Sequence, residues 1–307
     1  MSRVQILNIF KIMKIKPFVA IITFIVMIIF PMCAQKKLSN TFYSQNTLGG
    51  FVNGPKTAAD KAKLLKKVGF DGLEGMGQKD FLELKNALDK ENLSMPVNYV
   101  KIDFEADRKL NDTVANEIKE MIKASSKGAL IYFHLHSKSF KDDKETGDKV
   151  VTAILRELAD FSAPYGIKLA VYPHAGFYCA TVTHSVELAR LVDRKNYGAV
   201  MNLCHLLKVE GSDGIDSKIK DSAPYLFAVN ICGADDGDTK QFGWDRLIQP
   251  LGQGSFDTYR FVKLLRDNDY LGPIGLQCYN LKGDAFETLT HSMDTWRTYK
   301  ERYAKER

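Results

Sequence analysis

Five short apolar runs in the second half of the chain, at 130–136, 169–174, 200–205, 227–232 and 274–279, each end in polar side chains. Short runs rich in β-branched and aromatic residues read as buried strands. Parallel strands covered on both faces are apolar throughout, so polar groups gathered at one end are not explained by packing. In a parallel α/β protein that end is the carboxyl end, where active sites form. Between the runs lie helical patterns, and several end in a glycine shortly before the next strand: Gly69, Gly128, Gly166, Gly198 and Gly272. Glycine past a helix end can take the left-handed conformation that stops it.

The periodicity predicts further strands near 41–48, 72–76 and 96–104. It places helices near 57–68, 79–91, 112–125, 147–163, 185–194, 216–222, 256–268 and 285–303. Eight β-then-α units over residues 35–307 predict one (β/α)8 TIM barrel. A doubly wound open sheet is the alternative, but no glycine-rich turn follows the first strand to hold a dinucleotide.

The first 34 residues stand outside this rhythm. Arg3, Lys11, Lys14 and Lys16 precede a 14-residue run from Pro17 to Phe30, apolar apart from Thr23, and then Met32-Cys33-Ala34. That order is a secretory signal peptide, with cleavage expected after Ala34 and a periplasmic or secreted product. An uncleaved anchor, or a lipid on Cys33, is the alternative; the run is short of the ~20 residues of a membrane span. Without this segment the net charge falls from +6 to +2, with 39 basic against 37 acidic residues. Such a surface carries no electrostatic footprint for nucleic acid. The remaining cysteines, at 179, 204, 232 and 278, lack metal-finger spacing and read as buried thiols.

On a strand, residues two apart share a face. This pairs His134 with His136, Tyr172 with His174, Asn202 with Cys204, Asn230 with Cys232, and Gln277 with Tyr279, with Glu74 and Asn98 as further members of a mouth. Asn202, Asn230 and Gln277 offer donors and acceptors suited to vicinal sugar hydroxyls. Trp244, in the long loop after strand seven, and Tyr279 can stack on a sugar ring, although Trp244 can equally plug its loop. His174 is the best general acid/base, partnered by Tyr172 or Glu74, because imidazole titrates near neutrality.

Gly69-Phe70-Asp71-Gly72-Leu73-Glu74, Asn202-Leu203-Cys204-His205, Phe227-Ala228-Val229-Asn230 and Pro273-Ile274-Gly275-Leu276-Gln277 resemble, in order and spacing, the xylose isomerase-like barrels of the sugar phosphate isomerase/epimerase superfamily. The resemblance covers nearly all of residues 38–300. It implies a sugar substrate, with His205 as a substrate-contacting histidine and Lys208 close by. It also implies a divalent metal on Glu, Asp, His and Glu of strands five to eight, where this chain has Tyr172, Asn202, Asn230 and Gln277. Neutral amides hold hard cations far more weakly than carboxylates do. The expectation is therefore an exported isomerase, epimerase or lyase acting on a sugar or keto-sugar without the usual metal. A zinc site rebuilt from His134, His136, His174 and His205, and a carbohydrate binder that has lost catalysis, remain the alternatives. Oligomeric state is left open.

Overall fold

The computed structural model describes residues 37–107 and 109–306. The leader and Cys33 lie outside the described residues. Nine strand segments form one sheet, paired in parallel throughout: β1 Phe42–Ser44, β2 Gly72–Leu73, β3 Gly75–Met76, β4 Val97–Asp103, β5 Leu130–His136, β6 Lys168–Val171, β7 Tyr197–Asn202, β8 Leu226–Ile231 and β9 Ile274–Leu276. The order runs β2-β1-β9-β8-β7-β6-β5-β4-β3. Its two ends, β2 and β3, are halves of one stave interrupted only by Glu74, so the sheet closes into a barrel of eight staves. The open doubly wound sheet is excluded.

Helices α1 Ala58–Val68, α2 Phe81–Lys90, α3 Asp112–Ala124, α4 Lys144–Ser162, α5 Val182–Val192, α6 Leu203–Val209, α7 Ile215–Ser222, α8 Trp244–Leu247, α9 Thr258–Asp267 and α10 Ala285–Lys305 connect and follow the staves. Their starts are set by side-chain caps. Thr57, Asp143, Thr181, Asp257 and Asp284 each accept from the backbone N–H three residues on, satisfying donors that the first turn leaves open. The caps Asp143 and Thr181 start α4 and α5 three residues earlier than periodicity alone suggests. Among the described residues no helix is long and apolar enough to cross a membrane.

Two sequence expectations fail locally. The run 200–205 is not all strand: β7 stops at Asn202, whose Oδ1 accepts from the Cys204 N–H at 3.2 Å and starts α6. Cys204 therefore packs on a helix and does not share a strand face with Asn202. Glycine also does not supply every left-handed stop. Gly69, Gly128 and Gly166 do, at φ of 102°, 88° and 67°, but before β7 and β9 the left-handed residues are Asp193 and Asp269. Aspartate tolerates that region by bonding locally.

Strict alternation separates two layers of core. Tyr43, Val97, Leu130, Tyr132, Ala170, Tyr172, Val200 and Ala228 fill the barrel interior. Their strand neighbours, such as Phe42, Ile131, Phe133, Leu169, Val229 and Leu276, pack outward in clusters with the helices. Cys179, Cys204, Cys232 and Cys278 are all buried free thiols, as expected.

Gly275 is the interior position of β9, in register with Tyr43 on one side and Asn230 on the other. The Tyr43 hydroxyl donates to Asn230 Oδ1 across the gap at 2.8 Å. A Cβ at 275 would fall 2.2 Å from that oxygen and 2.5 Å from the Tyr43 ring. Gly275→Ala should therefore cost ~1–3 kcal/mol by overpacking, measured as a lowered urea midpoint at unchanged m-value.

Candidate active site

A cavity of about 330 Å³ opens at the carboxyl end of the barrel. Gln45 and Thr47 enter it from the segment after β1, Glu74 and Met76 from the split stave, and Tyr99 from β4. Tyr172 and His174 come from just beyond β6, His205 from α6, Trp244 and Ile248 from α8 and the residue after it, and Gln277 and Tyr279 from beyond β9. A larger hollow of about 560 Å³ lies at the amino end, lined by the loops entering the strands. It holds neither a buried carboxylate nor a histidine; the mouth holds both, and sites in this architecture form there.

The structure thus brings together Glu74, Tyr172, His174, His205, Trp244, Gln277 and Tyr279. Trp244 both lines the cavity and meets His205 edge-on at 5.3 Å. Asn202 and Asn230 face inward, but they are fully buried beneath the cavity and do not line it. His134 and His136 sit one layer back: His134 stacks behind Tyr99 at 4.2 Å, and the Phe177 ring separates His136 from His174 at 4.0 and 3.9 Å. Lys208 does not reach the cavity, because its ammonium donates to the carbonyls of Lys240 and Phe242 at 2.9 and 2.8 Å. Asn98 points outward, with Nδ2 3.1 Å from Met121 Sδ on α3.

Gln45, Thr47, Met76, Tyr99 and Ile248 were not anticipated. Tyr99 shares the face of Val97, a parity that anchoring on the polar Asn98 inverted. Gln45 shares the face of Tyr43 across β1.

Glu74 is the one carboxylate of the lining and is almost wholly buried. Its oxygens accept from the Tyr132 hydroxyl, from Gln45 Nε2 at 3.3 Å and from the Asn46 N–H at 3.2 Å. Burial disfavours the charged form more than these donors favour it, so the carboxyl titrates at about 7. Tyr132 and Tyr172 move well above their ordinary range, mainly through burial.

The histidines are kept neutral. Burial, with His136 next, takes His134 down to about 3, and burial also lowers His136, His174 and, most strongly in the lining, His205. Their partners fix two tautomers. His174 Nδ1 lies 2.8 Å from the Ala175 carbonyl, which only accepts, so the proton is on Nδ1 and Nε2 is a free base. His205 Nδ1 accepts from the Ala175 N–H at 3.4 Å, so neutral His205 carries its proton on Nε2.

The metal-ligand positions do not suit a cation. Asn202 Oδ1 is taken by the Cys204 N–H and thiol, Asn230 Oδ1 by Tyr43, and Gln277 Oε1 by Thr47 and the Tyr279 N–H. Asn202 Nδ2 is turned onto the Tyr172 oxygen. Among the described residues no three His, Cys, Asp or Glu side chains gather with metal-binding spacing. The four-histidine alternative is not assembled, because Phe177 stands between its two pairs.

The profile of the xylose isomerase-like TIM barrels matches residues 62–299. The chain belongs to this family. Among curated protein sequences nothing matches the chain. Of solved structures, a xylose isomerase-like fold close to this one is seen in an IolI protein with a bound zinc atom, 18% identical with a TM-score of 0.67 over 86% of this chain and 99% of that one. The 3-keto-D-glucoside 4-epimerase of E. coli gives 17% and 0.66 over 84% and 99%. The D-psicose 3-epimerase of Clostridium cellulolyticum H10 gives 15% and 0.59 over 87% and 96%. At these identities the likeness is one of fold.

The raised Glu74 value has a stability consequence. Between its unfolded value near 4.5 and its folded value near 7, the native state holds a proton that the unfolded chain has released. Glu74 therefore stabilises the fold below about pH 4.5 and loses that contribution as pH rises through 7. The full difference is roughly 3 kcal/mol. Glu74→Gln mimics the protonated form, so its melting temperature relative to the native protein should climb between pH 4.5 and 7. A flat difference would show that the carboxyl is not perturbed.

Proposed function

We propose that this xylose isomerase-like barrel is an enzyme that moves a proton at a carbon beside the carbonyl of a sugar or keto-sugar, in an isomerisation, epimerisation or β-elimination. The observation that carries the reading is Glu74, a buried carboxyl poised at about 7, three staves around the ring from His174 with its free Nε2. A base works best when its pKa lies near the working pH.

In this reading ionised Glu74 takes the proton from carbon and, then neutral, returns it to carbon, while the unprotonated Nε2 of His174 accepts a proton from a substrate hydroxyl and delivers it to the oxygen on which charge develops. The Nε2–H of His205 and the Nε2 of Gln277 can donate to the oxygen on which charge develops, as preformed dipoles do in water-poor sites. Tyr172, whose phenol is held far above neutrality and bonded to Asn202, serves as a hydrogen-bonding wall and not as the proton carrier. The aromatic rings of Tyr99, Trp244 and Tyr279 offer apolar faces to a sugar ring. Because the positions expected to hold a metal are neutral and their amide oxygens already occupied, the chemistry falls to these side chains. Two of the structurally similar barrels are a 3-keto-D-glucoside 4-epimerase and a D-psicose 3-epimerase, which supports this substrate class.

Across a panel of sugars and keto-sugars, His174→Ala and Glu74→Gln should each lower kcat/KM by about 10²–10⁴ while binding persists. The native rising limb near pH 7 should vanish in Glu74→Gln, and chelator should leave the rate unchanged. Saturable binding with no turnover of any keto-sugar would instead support a carbohydrate-binding barrel.

We also propose export, on the basic, apolar and small-residue order of the leader. Protein recovered from the periplasm or medium should begin at residue 35 on amino-terminal sequencing. A lipid-modified Cys33 or an intact Met1 would overturn that cleavage.

A further inference from the structure

The loop after β6 presents His174 to the cavity and is gripped from the opposite side by the helix layer. The His174 N–H donates to the Cys179 carbonyl at 2.9 Å and closes a turn in which Gly176 takes the left-handed conformation, at φ of 83°. Tyr178 belongs to that turn but packs in the outer core, where its ring meets Phe104 edge-on at 4.8 Å. Its hydroxyl donates to Asp148 Oδ1 on α4 at 2.7 Å, with the Lys144 carbonyl 3.1 Å away. His184 Nε2 on α5 lies 2.8 Å from the same Asp148 oxygen and donates to it, since a carboxylate only accepts. Burial works against the Asp148 charge, but the His184 and Tyr178 donors outweigh it and hold the carboxyl below its ordinary range, so both bonds are to an anion. The Lys144 ammonium donates to the Tyr178 carbonyl and stands 3.7 Å from the centre of its ring. Helix α4 also leaves room for the hydroxyl: a Cβ on Gly147 would fall 2.4 Å from it.

We propose that Tyr178 and Asp148 are positioning residues for His174: anchored in the helix layer, they set the turn that orients the His174 ring and keeps its proton on Nδ1. This rests on the role given to His174 above and deepens it. Two links run from the anchor to the ring. Phe177, the residue before Tyr178, stacks on His174 at 3.9 Å and 10°, so a shift of the anchor moves the surface on which that ring lies. Ala175, inside the turn, accepts from His174 Nδ1 at its carbonyl and donates to His205 Nδ1 from its N–H. A proton assigned by one carbonyl loses that assignment when the carbonyl drifts, and a histidine in the other tautomer presents an N–H where a lone pair is needed. Neither Tyr178 nor Asp148 lines the cavity, so both act through the turn.

The test is long-range ¹H–¹⁵N NMR of the histidine rings in the native protein, Tyr178→Phe, Asp148→Ala and Asp148→Asn. Asp160→Ala is the control, because Asp160 pairs with Arg194 at the far end of the same two helices. In the native protein His174 Nε2 should give the signal of an unprotonated nitrogen, well apart from that of Nδ1. Tyr178→Phe and Asp148→Ala should draw the two signals together. They should also lower kcat about 10- to 100-fold at nearly unchanged KM, for whichever sugar of the panel the native protein turns over. Asp148→Asn keeps an acceptor for the Tyr178 hydroxyl and should hold most of the native pattern, and Asp160→Ala should hold all of it. A native His174 protonated on Nε2, native signals in both disrupting variants, or the same collapse in Asp160→Ala would each overturn the assignment. So would a fall in kcat with the His174 nitrogens unmoved. If Tyr178→Phe does not fold, Asp148→Ala decides. The ring signals need no substrate, so a protein that shows the expected collapse and turns over no sugar keeps the anchor and loses the functional reading.

Discussion

The burial of one carboxyl group governs the site. Glu74 occupies the break in the second stave, where β2 leans on β1 and β3 on β4, and its own N–H is kept in the sheet by the Ser44 carbonyl at 2.9 Å. Its side chain therefore enters the barrel interior on a backbone that cannot swing it out to water. Taking a carboxylate from water without a counter-charge is costly, and the protein answers by shifting its titration. The cost spreads outward: the charge of Glu74 is among the causes that push Tyr43, Tyr99, Tyr132 and Tyr172 upward after burial itself. A floor built around such a group accepts other neutral groups far more readily than further anions.

That constraint makes sense of the residues at the four positions where the family resemblance implies metal ligands. Carboxylates there would add to Glu74 in a confined space and would need a cation to be tolerated. A phenol and three carboxamides need none, and they bond to one another and to their surroundings: Tyr43 to Asn230, Asn202 to Tyr172, Thr47 to Gln277. The histidines obey the same rule. Packed ring to ring with Phe177 and Tyr99, and shielded from water, they stay uncharged, and the Ala175 backbone bonds one ring by its carbonyl and the next by its N–H. The lining becomes a set of neutral donors and acceptors around a single titrating acid.

The barrel was legible because the β-then-α rhythm and the apolar runs report burial directly, and burial is what the staves share. Inward positions were legible wherever two-residue alternation held to the strand end, as at Tyr172, Asn230 and Gln277. It failed where the backbone changed state: Asn202 caps a helix, so parity beyond it carried Cys204 to the wrong face. It failed again at Asn98, where polarity was taken as a sign of the mouth and the aromatic Tyr99 in fact faces in. Depth was invisible to pattern. His134 and His136 share the inward face of β5, yet the rings of Tyr99 and Phe177, from other staves, screen them from the cavity. Lys208 falls within the strand-six motif by spacing, but the turn into α6 spends its charge on two loop carbonyls. Gln45 drew no attention because a single amide just past a three-residue strand carries no signal in the sequence.

The choice between catalysis and mere binding turns on the same carboxyl. A pocket that only recognises a neutral sugar gains nothing from an acid at position 74 that glutamine could not supply. Glutamine would keep a hydrogen-bonding side chain of the same length with no charge to desolvate, and so without the loss of stability that Glu74 imposes above its folded pKa. What glutamine cannot do is give up or take a proton near neutral pH. A fold that breaks a stave around a group disfavoured by its own surroundings violates the local rules of a stable core, and such violations are where function is expected. The free Nε2 of His174, in the same cavity with its tautomer fixed by a backbone carbonyl, supplies the second proton-transfer group that binding alone would not require.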